Sequence, residues 1–290
     1  MGCNVFAEVQ KAWGQVSTAE AGVKAMSELL GTGLLVLMAC MGCLPGWATG
    51  APPPVQYSLS VGLVVMFVVQ ICAHISGAHI NPAVTLAALI YGSISVPMAC
   101  VYALSQFVGA VLGYGLLMVI TPEVALGGDK AFCVTMPNAA LSGLQAVIVE
   151  AIITGILTLL CCSLWDKRNS HNTDGISIKF GLTIATLAMS AGSFTGASMN
   201  PARSFGPALL TGQWASHWCN LHDKLLKRFV YKKVYNDLFL VYFCIVNVFM
   251  TVVVFLVFNE RGMKFKQLLT CFKYVHTRVS QKIMYLFFFF

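Results

Sequence analysis

The sequence predicts an all-α membrane protein: an inverted repeat of transmembrane helices with two half-helices. Three observations carry that expectation. The chain has 290 residues, of which 58% are hydrophobic and 10% charged, with a mean hydropathy of +0.77; soluble domains carry about 25% charged residues. From Leu29 to Pro122 there is no Asp, Glu, Lys or Arg. The triplet Asn-Pro-Ala occurs twice, as Asn81-Pro82-Ala83 and Asn200-Pro201-Ala202, with the two asparagines 119 residues apart.

The elements follow in order. Residues 1–24 are mixed in polarity and lack the short apolar run and small-residue cleavage site of a signal peptide, so a cytosolic N-terminus is expected. A spanning helix needs ~20 mostly apolar residues. Five such spans are predicted: Ala25–Leu44 with Glu28, Tyr57–Cys72, Val96–Ile120, Leu144–Trp165 with Glu150, and Ile176–Ala191. Two apolar stretches, Ile80–Ile90 and Pro201–Leu210, are too short to cross. Glu28 precedes Asn81 by 53 residues and Glu150 precedes Asn200 by 50. Each half therefore reads as a glutamate-bearing helix, a second helix, Asn-Pro-Ala and a half-helix, with repeat 1 over about 25–120 and repeat 2 over about 144–218. An odd number of spans separates the copies, which sets them in opposite orientations, a known way to build a transport site near the bilayer midplane.

Charge agrees with that topology. Lys167 and Arg168 mark the loop after the fourth span as cytosolic, whereas "ATGAPPPVQ" has neither Lys nor Arg. The formal net charge of +7 sits in the tail: residues 216–290 hold 11 Lys+Arg against 3 Asp+Glu, and residues 1–215 hold 7 against 8. The body gives no reason to invoke nucleic acid, while membrane lipid is an expected neighbour. The eleven cysteines show neither metal spacing nor a disulfide framework and read as packing residues. No cofactor, metal or catalytic constellation is expected, and so no enzyme.

Asn-Pro-Ala has a direct physical reading. Proline lacks an N–H and holds φ near the helical value, which suits the first helical turn. Asparagine before it is a good N-cap. Each triplet thus starts a half-helix, and the positive dipole ends of both meet near the membrane centre. Non-helical backbone survives at that depth only where it is buried in protein or lines a wet cavity. A narrow polar pore follows, in which asparagine amides donate to a passing oxygen and the dipole ends oppose cations.

The stretches "HISGAHINPAVT" and "GASMNPARSFGPAL" resemble the two signature loops of the aquaporin, or major intrinsic protein, family. The resemblance covers roughly residues 20–218 and implies a homotetramer at the cell membrane, with one pore per subunit. The implied partners are water and small neutral solutes such as glycerol and urea. Arg203, directly after the second triplet, matches the family's constriction arginine. Carried over by spacing, Val61, Ala188 and Ala197 complete the constriction; one turn of slippage would bring Phe67 or Ser190 into the lining instead. Three small apolar side chains beside one cation imply a wide pore passing glycerol with water. Ser204, where glycerol facilitators usually carry Asp, points instead to a strict water channel. The pattern is most similar to that of the insect aquaglyceroporins, or entomoglyceroporins. The resemblance also assigns Glu28 and Glu150 to holding the pore-loop backbone, and His79 to supporting the first loop. Gly109 and Gly113 form a GxxxG for close helix packing.

The repeat predicts a sixth span at about 215–239, but that window holds seven charged residues, from Asp223 to Asp237. Each central charge costs ~2.5–3.5 kcal/mol to insert, so the window cannot cross. Residues 219–290 form an atypical basic tail with one possible substitute span, Leu238–Phe258, and the closing "YLFFFF" resembles translated non-coding sequence. A non-conducting subunit that associates with intact relatives is the competing expectation.

Overall fold

The computed structural model describes residues 17–44, 54–122, 132–172 and 174–213. The tail from 219 and the candidate span 238–258 lie outside the described residues. Helix α1 runs Thr18–Met41, α2 Pro54–Ser76, α3 Pro82–Tyr91, α4 Val96–Ile120, α5 Gly143–Trp165, α6 Ile176–Thr195 and α7 Pro201–Thr211. Five of these, α1, α2, α4, α5 and α6, are long and apolar enough to cross a membrane. The fold is an all-α, multi-pass membrane architecture, with α3 and α7 as the half-helices.

Boundaries differ most at the first element. Helix α1 begins at Thr18, seven residues before the expected Ala25, because the Ser17 side chain caps it by accepting from the Glu20 N–H at 3.1 Å. Lys24 and Glu20, one turn apart, pair at 2.7 Å on that added segment. Helix α5 starts with a capping box, in which the Ser142 hydroxyl accepts from the Gln145 N–H and the Gln145 carboxamide accepts from the Ser142 N–H. Arg168, hydrogen-bonded to Asp166 in the loop after α5, holds that carboxyl below its ordinary range.

Burial is arranged for lipid. Leu59, Leu63, Phe67, Ile71 and Ile75 stand exposed along one stripe of α2, Leu104, Val108, Leu112 and Leu116 along α4, and Leu144, Ile148, Ile152 and Ile156 along α5. Each stripe repeats every four residues, one helical face. The polar side chains point inward: Glu28, Thr32, Gln106, Thr154 and Thr158 are all buried. An exposed apolar stripe over a polar interior suits hydrocarbon as solvent.

The helices pair as the repeat requires. Helix α1 packs on α2 as α5 packs on α6, and α2 crosses α6. Helix α3 packs on α5 and α7 on α1, so each half-helix leans on the glutamate helix of the other repeat, and α3 meets α7. The α1–α4 contact is the Gly109/Gly113 face: a Cβ on Gly109 would overlap the Leu29 carbonyl oxygen, and one on Gly113 that of Gly33. Among the described residues α4 has no counterpart in repeat 2.

Candidate functional site

The site grows from two loops that share one backbone design. Gly77 (φ 85°), Ala78 (47°) and Ile80 (44°) in the first loop match Gly196 (79°), Ala197 (46°) and Met199 (49°) in the second. Left-handed conformations at β-branched Ile80 are costly, of order 1–3 kcal/mol each, and persist only where the surroundings over-determine them. They turn successive carbonyls and N–H groups in opposite directions, and buried glutamates take the N–H groups.

Glu28 is fully buried and collects four donors among the described residues. Its Oε1 accepts from the His79 N–H at 2.9 Å and the Ser76 hydroxyl at 2.7 Å. Its Oε2 accepts from the Ile80 N–H at 2.6 Å and the Gln106 carboxamide at 2.7 Å. Glu150 repeats the device: Oε1 accepts from the Ser198 N–H at 3.0 Å and the Thr195 hydroxyl, and Oε2 from the Met199 N–H at 3.0 Å. Ser76 and Thr195 each stand five residues before the asparagine of their loop, and each hydroxyl also accepts from the N–H two residues on, Ala78 at 3.2 Å and Ala197 at 3.3 Å. No part of Glu28 reaches the surface.

The asparagines then close the arrangement. Asn81 Oδ1 accepts from the Ala83 N–H at 2.9 Å, and Asn200 Oδ1 from Ala202 at 3.0 Å and Arg203 at 3.2 Å, each capping the half-helix that its proline begins. The amides cross over. Asn81 Nδ2 donates to the Met199 carbonyl and Asn200 Nδ2 to the Ile80 carbonyl, both at 2.8 Å. Each loop thus orients the other's asparagine, and the two helix N-termini are fixed tip to tip.

A narrow cavity runs past these tips. It is lined by both asparagines, the loop residues Ala78, His79, Ile80, Ala197, Ser198 and Met199, the apolar Val61, Val65, Phe180 and Ile184, and Arg203. The cavity offers about 50 Å³ to the centres of water-sized molecules, and one water needs roughly 10–15 Å³ on that measure. Of the expected constriction residues, Val61, Ala197 and Arg203 line it. Ala188 does not; it is 1% exposed and packed in the same apolar cluster as Val61 and Ala197. Phe67 and Ser190 are exposed on the outer faces of α2 and α6 and do not line it either. His79 lines the cavity, its Nδ1 is 3.2 Å from Thr85 Oγ1, and its ring packs against Tyr102 and Trp165.

Several contributors have no motif. Arg203 Nη1 donates to the Cys133 carbonyl at 2.8 Å, and Nη2 lies 3.2 Å from both the Tyr57 hydroxyl and Cys133 Sγ. Tyr57 in turn donates to the Gly196 carbonyl at 3.4 Å. Ser204 holds Ser198 and Thr135 by its hydroxyl, as Thr85, the same position in the first loop, meets His79 and Gln106. The reading of all cysteines as packing residues needs one correction: Cys40 and Cys133 form a disulfide with Cα atoms 5.4 Å apart. A separation of 93 residues with no local spacing left that pair invisible in sequence, whereas Cys161 and Cys162 are buried packing thiols. Among the described residues no group of three or more His, Cys, Asp or Glu is placed to hold a metal.

Known proteins share this design. Aquaporin-4 of Mus musculus is 38% identical over 199 residues, 67% of this chain and 61% of that protein. Aquaporin-2 of Rattus norvegicus is 37% identical over 213 residues, covering 73% of this chain and 77% of that protein. The chain spans about three-fifths of the length of the mouse and human aquaporin-4 proteins it matches. The X-ray structure of the aquaglyceroporin from Plasmodium falciparum superposes with a TM-score of 0.64 at 23% identity, over 83% of this chain and 97% of that one, which establishes the shared fold. The Major intrinsic protein family model matches residues 15–224, and with the doubled, mutually bonded Asn-Pro-Ala loops inside that range the chain belongs to the major intrinsic protein family.

Proposed function

We propose that the chain forms a passive transmembrane pore for water and small neutral solutes such as glycerol and urea. The observation that carries this reading is the cavity at the meeting point of two opposed helix N-termini, each presenting an asparagine amide. Lined by apolar side chains on one wall and loop backbone on the other, it gives a permeant oxygen donors and carbonyl acceptors in sequence while refusing charge. The two dipole ends and the Arg203 cation repel cations, a discrimination that needs no moving part. Val61 and Ala197, with Arg203, make the outer constriction, and Ala188 bounds it from behind, so the missing bulk favours polyol passage. This composition is most similar to the insect entomoglyceroporin pattern. The subunits assemble as a homotetramer in the cell membrane with the N-terminus and the Lys167–Arg168 loop in the cytosol. The test is osmotic swelling and radiolabelled glycerol uptake in oocytes with surface delivery confirmed by biotinylation. Both fluxes should rise above uninjected cells; strong water flux without glycerol flux would make it a strict water channel.

A second reading rests on the seven charges between Asp223 and Asp237, where the repeat calls for a span. A non-conducting subunit that joins intact relatives would reach the surface yet carry neither solute, and would lower the flux of a co-expressed relative.

A further inference from the structure

The outer constriction is tied covalently to α1. Arg203 is held by the backbone carbonyl of Cys133, a residue in the left-handed region at φ 64°. Cys133 is bonded through its sulfur to Cys40, near the end of α1. Leu35 and Ala39, on the preceding turns of α1, line the cavity. Other anchors surround Cys133: the Phe132 carbonyl accepts from the Tyr114 hydroxyl at 2.9 Å, and Thr135 meets Ser204 at 2.7 Å. Neither of these engages the Cys133 carbonyl itself, whose place depends on the residue's backbone conformation and on where its side chain is anchored. Cys43, one turn beyond Cys40, is a free thiol.

We infer that Cys40 and Cys133 are positioning residues for solute selectivity: their disulfide holds the carbonyl that orients Arg203, so breaking it loosens the outer constriction without closing the pore. This inference rests on the pore reading above. Its topology is consistent. Cys40 lies near the end of α1 and Cys133 in the connection between α4 and α5, both on the side opposite the basic Lys167–Arg168 loop in chain topology, which is the oxidising side of the membrane if that loop is cytosolic. Chemically, a dithiol reductant attacks one sulfur, the S–S bond takes up two electrons and two protons, and the reductant leaves as a cyclic disulfide while Cys40 and Cys133 become thiols. The freed Cys133 is then a non-glycine residue in a left-handed conformation with nothing covalent to keep it there. The Arg203 guanidinium then keeps the Tyr57 hydroxyl but has a less firmly placed carbonyl acceptor, and gains freedom to swing along the pore axis. A larger solute benefits from that freedom more than water does.

The test uses the full chain in proteoliposomes, measuring water and glycerol permeability with and without dithiothreitol, in the native chain, in Cys43→Ser and in Cys40→Ala. Among the described residues the Arg203 side chain hydrogen-bonds to Cys133 and Tyr57, so Cys40→Ala removes the link and leaves both of those residues in place. Peptide mass spectrometry of the oxidised chain should recover the Cys40–Cys133 link. Reduction should raise the glycerol-to-water permeability ratio roughly two- to tenfold, the effect of losing about one hydrogen bond of ordinary net strength. Cys40→Ala should have the raised ratio without reductant and show no further response, and Cys43→Ser should respond like the native chain. A purely structural disulfide would scale both permeabilities down together and leave the ratio fixed. An unchanged ratio in a conducting protein whose link has been reduced overturns this inference alone, as does a ratio in Cys40→Ala that still responds to reductant. Absence of flux in the oxidised native chain overturns the pore reading itself, and this inference with it.

Discussion

The two loops are near copies in backbone and differ at a few side chains. Gly77–Asn81 and Gly196–Asn200 have the same pattern of left-handed residues, the same glutamate beneath and the same crossed amide above. Yet Val84 stands where the second copy has Arg203, His79 where it has Ser198, and Gln106 reaches Glu28 from α4 with no counterpart on Glu150 among the described residues. The lesson is a division of labour. The repeated backbone sets two helix N-termini tip to tip, and in the proposed pore the unrepeated side chains would make one end the filter.

The largest effect should come from removing the shared base. Glu28→Ala and Glu150→Ala each leave two backbone N–H groups buried and unpaired, and each such group costs roughly 1–3 kcal/mol. Both variants should melt well below the native chain in detergent, with Glu28→Ala the worse because Gln106 also loses its acceptor; equal melting would deny Gln106 a part in the inner cradle. Next comes the side chain that breaks the symmetry. Arg203→Val gives the second loop the residue of the first. A fixed charge about 6 Å from a permeant ion is worth about 2–3 kcal/mol at an effective dielectric of ~20. Methylammonium permeability should therefore rise about ten- to hundredfold while water flux persists, and an unchanged cation barrier would assign selectivity to the dipoles alone. The smallest effect separates the caps. Loss of an asparagine cap costs about 0.5–2 kcal/mol, and Asn200 caps two N–H groups where Asn81 caps one. Asn200→Ala should therefore lower the unfolding temperature more than Asn81→Ala, and the reverse order would show that the crossed amides outweigh the caps.

Most of the fold was legible in sequence because it follows from hydrophobic length and from proline. Val96–Ile120 matches residue for residue, and the half-helices begin at Pro82 and Pro201, as a missing N–H dictates. The glutamates were legible through their matched distance to the asparagines. Ser76 and Thr195 stood five residues before Asn81 and Asn200, and comparing the two copies position by position would have found them. Gln106 carried a weaker signal, a lone carboxamide in a span without charges. Tyr57 and Cys133 had none, because their relation to Arg203 spans 146 and 70 residues and is made by tertiary packing. Ala188 illustrates a different limit. Counting back twelve residues from Asn200 finds the helix turn, but whether an alanine at that turn reaches the cavity depends on tertiary packing, and Ala188 is buried in the apolar cluster that includes Ala197 and has Val61 against it.

In the proposed pore, solutes pass through the cavity where the two half-helices meet. Val61 lines that cavity from α2 and is only partly buried, so Val61→Trp fills the lumen while both loops, both glutamates and Arg203 keep their own residues. Stopped-flow osmotic permeability of proteoliposomes, at matched content of folded protein, compares this variant with the native chain. The native chain should raise water permeability above protein-free vesicles, and Val61→Trp should return it to their level. A native chain with no permeability of its own, or a tryptophan variant that conducts as well as the native chain, would contradict the account.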